Sequence, residues 1–261
     1  MSPGQPANRP SNGAFSGGRS EPFSTSTRIK RGPGNRLGVH KTLRSGEVEA
    51  SKGPLSLANC VSPWANGLSL QTLLAGRCAA ESPDLSALFQ PAKSWLEAIS
   101  ADAVERDGRA MLTGAHIDSI WGNFYPEADP PVLIDREWVW EEEIPQNSLV
   151  IRAIYTFLAR LEDASPQAAL LQRASGGRLI RDVAKALGID LQQQDFDDFL
   201  DLEVRFQENA YNLDPTRYRS YLRWYLAHRP SLKAARTARN LARRVRASLE
   251  ARLGLMRHAA S

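Results

Sequence analysis

His116-Ile-Asp118-Ser-Ile-Trp-Gly-Asn123-Phe-Tyr-Pro-Glu-Ala-Asp-Pro-Pro-Val132-Leu-Ile-Asp135-Arg-Glu137-Trp138 is the stretch on which the fold turns. Asn123-Phe-Tyr reads as a short strand, Pro126 to Pro131 is dense in turn formers, and Val132-Leu-Ile reads as a second strand. A hairpin of this kind brings the start of one strand beside the end of the next. Asn123 and Asp135 would then face one small volume, with Asp118 in the loop just before. His116 is expected to be structural, holding that loop by packing or hydrogen bonding.

The residue types define a chemistry. Phosphoryl transfer asks a protein for an acceptor hydroxyl held in line and for cations that neutralise the phosphates. Asp118 can accept the proton of an attacking hydroxyl. The side-chain carbonyl of Asn123 and the carboxylate of Asp135 are hard oxygen ligands, which suit magnesium. No cysteine cluster competes for a softer metal, and a lone histidine makes a poor zinc site.

The same residues resemble the catalytic centre of the kinase-like fold, in its aminoglycoside and choline phosphotransferase branch. That branch carries a His-Gly-Asp-x4-Asn loop and an Ile-Asp-Trp-Glu-like strand end. The likeness is closer to kinase-like domains that follow a methyltransferase in bacterial enzymes of cell-surface polysaccharide synthesis. It runs through Ile134-Asp135-Arg-Glu137-Trp138, Ile144-Pro145 and Ile151-Arg152-Ala153-Ile154-Tyr155, then Leu187-Gly188-Ile189 and Leu202-Glu203-x-x-Phe206-Gln207. The resemblance implies Asp118 as catalytic base, Asn123 and Asp135 as magnesium ligands, and ATP with Mg2+ as cofactors. Val61-Ser-Pro-Trp64 resembles the hinge between two lobes, so that backbone near Val61 to Pro63 would meet the adenine. The implied fold is α+β: a mostly helical kinase-like large lobe with a short metal-site hairpin, and a truncated β-rich small lobe.

A kinase-like small lobe needs a phosphate-covering glycine turn, a strand lysine and a helical glutamate that pairs with it. Lys41, in Val39-His-Lys41-Thr-Leu, is the candidate lysine, with a solvated residue on an edge strand as the equal alternative. Gly32-Pro-Gly-Asn35 reads more simply as a hairpin turn than as a phosphate cradle. From Lys41 to the hinge only about twenty residues remain, too few for a helix and two strands. Glu47 and Glu49 lie there without a helical pattern. The small lobe is therefore reduced, the chain is a fragment of a longer enzyme, or it is a non-catalytic relative. The expected organisation is a disordered tail over 1–22, reduced small-lobe strands over 23–62, a helical large lobe over 63–212 and a helical extension over 213–261.

The chain has 261 residues and 42% hydrophobic content, enough for a packed core. The net charge of +4 is too modest to argue for nucleic acid. Two cysteines, Cys60 and Cys78, suggest no disulfide framework and are expected reduced and buried, which fits a cytoplasmic setting. No apolar run reaches membrane-spanning length, and the first residues lack a signal-peptide core.

Periodicity predicts helices over 84–105, interrupted by Pro91, over 147–161, over 177–187 closed by Gly188, and over 194–211. Trp95 is assigned to the core, and Arg152 is expected to pair with a carboxylate such as Glu137. After the aromatic run Tyr218, Tyr221, Trp224 and Tyr225 comes the basic stretch Ser231 to His258. Its only acid is Glu250, and Leu241, Val245, Leu249 and Leu253 form one stripe. A basic amphipathic helix of this kind suits an anionic membrane surface or a solvated extension equally. The expected partners are a nucleotide, a hydroxylated glycan or small-molecule acceptor, and a methyltransferase chain.

Overall fold

The computed structural model describes residues 25–31, 37–43, 49–58, 60–63, 65–79, 84–128, 130–165, 168–172 and 174–228. The tail over 1–22, the turn from Gly32 to Asn35, Glu47 and the basic stretch 231–258 lie outside the described residues.

The chain is α+β. It opens with strands β1 (Thr25–Arg31), β2 (Leu37–Leu43), β3 (Glu49–Lys52), β4 (Leu55–Ala58) and β5 (Cys60–Pro63). Helices α1 (Leu70–Ala79), α2 (Leu85–Phe89) and α3 (Ala92–Ser100) follow. Six short strands come next: β6 (Val104–Arg106), β7 (Arg109–Leu112), β8 (Phe124–Tyr125), β9 (Val132–Leu133), β10 (Trp138–Trp140) and β11 (Ile144–Pro145). Helices α4 (Gln146–Ala164), α5 (Gly176–Ala186), α6 (Gln193–Tyr211) and α7 (Pro215–His228) complete the order.

The amino-terminal strands do not form one sheet. β2 lies between β1 and β5, whereas the β3–β4 hairpin pairs through β4 with β10, far along the chain. Leu55 and Leu57 of β4 are buried, and Leu55 packs in a small core with Ile117, Trp140, Ile144, Leu202 and Phe206. This hairpin therefore belongs to the packing beneath the His116–Asn123 loop. The larger core surrounds α4, whose Leu149, Val150, Ile151, Ala153, Ile154, Phe157, Leu158 and Leu161 are all buried. Burial on every side, rather than on one face, makes α4 the central helix. Phe89 and Trp121 meet Phe157 of α4 and each other, and Trp95 meets Trp121 edge-on, with ring centroids 5.4–5.9 Å apart.

Local sequence explains most boundaries. Asp84 caps α2 by accepting from the Ser86 N–H at 2.8 Å. Pro91, which has no N–H to extend the ladder, separates α2 from α3. The helix expected to reach Glu105 ends at Ser100. Val104–Arg106 instead pairs antiparallel with β7 across Asp107-Gly108, whose φ angles of 51° and 73° suit a two-residue hairpin turn. Gly188 closes α5 with φ +89°, and a reciprocal Gln192–Asp195 box starts α6. α4 begins at Gln146 without a side-chain cap, since Pro145 holds the N-cap position, and Asn147, inside the first turn, donates its amide to Asp195 Oδ1 at 3.1 Å.

Candidate active site

The loop from His116 to Asn123 is held at both ends by hydrophobic anchors. Ile117 is buried in the small core and Trp121 in the large one, so Asp118 emerges between the two. The loop enters through Gly114, packed so closely on the Trp140 carbonyl that no Cβ would fit. The indole N–H of Trp95 donates to the Ser119 carbonyl at 2.8 Å, so this core residue also ties down the loop.

His116 is 1% exposed and structural. Its Nε2 lies 3.1 Å from Asp102 Oδ2 and its Nδ1 3.1 Å from Ser119 Oγ. An ionised carboxylate only accepts, so Nε2 carries the proton and Nδ1 accepts from the serine hydroxyl. Burial, reinforced by the Arg136 charge, lowers the histidine's pKa, while Asp102 works against that shift.

Asn123 links the loop to the hairpin. Its side-chain amide donates to the Asp118 carbonyl at 2.9 Å and to Asp118 Oδ2 at 3.1 Å. Both bonds use the nitrogen, which leaves Oδ1 as the atom available to a cation. The Asn123 carbonyl accepts the Ile134 N–H at 2.9 Å, extending the β8–β9 ladder by one bond. Asp135 follows directly and sits in the left-handed region with φ +56°, unusual for a residue with a Cβ. Its N–H donates to Ser62 Oγ at 3.2 Å.

Ser62 lies on β5, between Val61 and Pro63, and is 7% exposed. The strand expected to border a nucleotide is thus bonded to the strand end expected to bind a metal. β5 pairs with β2 so that Lys41 is opposite Cys60, His40 opposite Val61, and Gly38 opposite Pro63. The backbone brings Lys41, Val61 and Pro63 onto adjacent strands.

Arg152 on α4 pairs with carboxylates as expected, but with other ones than Glu137: it bridges Asp118 and Glu203. Its Nη1 donates to the Ile117 carbonyl at 2.6 Å and to Asp118 Oδ1 at 3.2 Å, and its Nε to Glu203 Oε2 at 2.8 Å. The guanidinium also lies 4.4 Å from the centroid of Phe206. Burial opposes its charge, but Glu203 and Asp118 outweigh burial and raise its pKa. Glu137 is buried and acts on Asp118 through its charge.

Burial raises the Asp118 pKa above the usual carboxylate range, Arg152 and the Asn123 amide pull it back, and Glu137 pushes it further up. The Tyr211 phenol, although 60% of the residue is exposed, is also raised, by partial desolvation first and then by the Asp118 charge. Its ring, centred 6.3 Å from Phe206 and 6.5 Å from Trp138, borders the same charges.

Two participants are absent from the expected set: Ser62 and Glu203. Glu203 leaves a trace in the sequence, because it interrupts the apolar face Phe196, Phe199, Leu200 and Phe206 at helical spacing. Nothing in the sequence marks Ser62. Among the described residues no three His, Cys, Asp or Glu side chains form a metal-holding group. A cavity of about 390 Å³ lined by Arg109, Asn147, Asp190 and Asp195 shares no residue with this loop. Cys78 is buried and its thiol is pushed up to about 11, which leaves it inert as a nucleophile. No family model, no curated protein and no solved structure matches this chain.

Proposed function

We propose that the chain is a kinase-like phosphotransferase that moves a phosphoryl group from ATP to a hydroxyl of a glycan or small-molecule acceptor. The observation that carries the reading is the double role of Asn123. Its side-chain amide orients Asp118, while its backbone carbonyl accepts the Ile134 N–H, one residue before Asp135. On this reading one loop supplies the base and one ligand, Asp118 and Asn123, and the hairpin's strand end supplies the second ligand, Asp135.

The residues fit a hard divalent cation, since Asn123 Oδ1 and the Asp135 carboxylate are the donors such an ion takes. When bound, magnesium would neutralise charge on the phosphates. Asp118 would take the acceptor's proton, and its raised pKa suits a base better than an ordinary carboxylate. The backbone of β5 near Val61 and Pro63 would face the adenine, and Lys41, on the neighbouring strand, is the candidate partner of the phosphates.

The second reading is a non-catalytic module of the same fold, associated with a methyltransferase chain. It is favoured by what joins β2 to β5: among the described residues there is no helix, only the β3–β4 hairpin, which pairs with β10 instead. Thermal shift with ATP and GTP, each with and without magnesium, separates the two. At a hundred-fold excess over Kd, a ligand stabilises by about 2.7 kcal/mol, or about 5–10 °C for a chain of this size. A magnesium-dependent shift of that order is expected, and none at all would leave the second reading.

A further inference from the structure

The charge on Arg152 reaches further than Asp118. Glu203, 1% exposed, holds Arg152 with one oxygen and uses the other to accept from Tyr218 Oη at 3.2 Å and Gln207 Nε2 at 2.9 Å. Tyr218 belongs to α7, and its hydroxyl lies 3.4 Å from that of Tyr155 on α4. Three hydrogen bonds therefore run from α7 to Asp118: Tyr218 to Glu203, Arg152 to Glu203, and Arg152 to Asp118. Arg152 also grips the Ile117 carbonyl, so the backbone just before the base is held by the same guanidinium.

We propose that Glu203 and Tyr218 are positioning residues for Asp118, acting through Arg152, and that the seating of α7 fixes the geometry of the loop. Packing alone does not ask for this arrangement. A buried ion pair contributes little more than apolar residues of the same volume, whereas its hydrogen bonds impose direction. The planar guanidinium is suited to holding two carboxylates and a carbonyl at once.

The seat of α7 is built for close approach. A Cβ on Gly176 of α5 would come within 2.7 Å of the Tyr225 carbonyl, and one on Gly177 within 3.0 Å of the Leu226 carbonyl. Tyr225 is fully buried and meets Tyr155 edge-on at 5.2 Å. Tyr218 lies two helical turns before Tyr225, so the face that docks on α5 also presents the hydroxyl to Glu203.

The positioning role rests on the proposal that Asp118 is the base, whereas the mechanical link from α7 to the loop does not. The test uses the full chain as wild type, Tyr218→Phe, Glu203→Gln, Arg152→Lys and Gly176→Ala. Hydrogen exchange is read at the loop amides of Ile117, Ser119 and Asn123, which bond to the carbonyls of Gly114, His116 and Ile120. Mg·ATP affinity is measured by calorimetry, and the rate constant for ADP formation with water as acceptor. In Tyr218→Phe the loop amides should exchange faster and kcat should fall about tenfold, with Mg·ATP affinity unchanged. Arg152→Lys should lose kcat despite keeping its charge, because one ammonium cannot span both carboxylates and the Ile117 carbonyl. Faster exchange confined to α7, or an unchanged kcat in Tyr218→Phe, overturns the proposal. If the wild type neither binds nor turns over Mg·ATP, the phosphotransferase reading fails alone, and exchange at the loop amides still decides the link.

Discussion

Asp118 carries its charge beside Arg152, which also holds the buried Glu203, and within reach of the buried Glu137. One cation thus serves two carboxylates. Substituting Arg152→Met should destabilise the protein by about 3–5 kcal/mol, the range for uncovering buried charge, measured by urea unfolding. Adding Glu203→Gln to that variant should recover part of the loss, since one unpaired charge is then removed. His116 sets a pH limit. Its pKa in the fold lies below the ordinary 6.5, so the unfolded chain binds the proton first. The stability it contributes is complete above pH 6.5 and is lost as pH falls through the lowered value. Unfolding free energy should drop as pH falls below 6.5, and His116→Asn should flatten that part of the profile.

At the scale of elements, two glycines separate conformational from steric demand. Gly108 has φ +73° with open space around it, so Gly108→Val should cost about 1–2 kcal/mol through backbone strain alone. Gly114→Ala meets the Trp140 carbonyl and should cost more, with both read as shifts in denaturation midpoint. Elements were legible where the signal was local. Pro126 to Pro131 announces the β8–β9 turn, Gly188 the end of α5, and the Gln194–Tyr211 periodicity α6. The β6–β7 hairpin was hidden because the apolar pattern from Leu85 to Ile99 invites extension past Ser100, although Asp107-Gly108 marks a turn. The pairing of β4 with β10 joins Leu57 to Trp138 and has no local signature. The same holds for the bond from Ser62 to Asp135, and for Glu203 as partner of Arg152. These depend on which distant segments meet, and no spacing records that. Asp118, Asn123 and Asp135 stood out because one short loop and one hairpin contain all three.

At the scale of the molecule, two hydrophobic cores share the loop, with Ile117 in one and Trp121 in the other. The site is therefore coupled to both, and damage to either should reach it. Among the described residues no helix is long and apolar enough to cross a membrane. The basic stretch from Ser231 to His258, expected either on an anionic surface or as a solvated extension, follows α7, whose Tyr218 bonds to Glu203.

Calorimetric titration of Mg·ATP into wild type, Asp118→Asn and Asp135→Ala tests the convergence of base and metal ligands most directly. The account predicts magnesium-dependent binding in the wild type, near-equal affinity in Asp118→Asn, and a loss of at least about tenfold in Asp135→Ala, as expected when a charged ligand is removed. Equal affinity in all three proteins, or binding indifferent to magnesium, would contradict it.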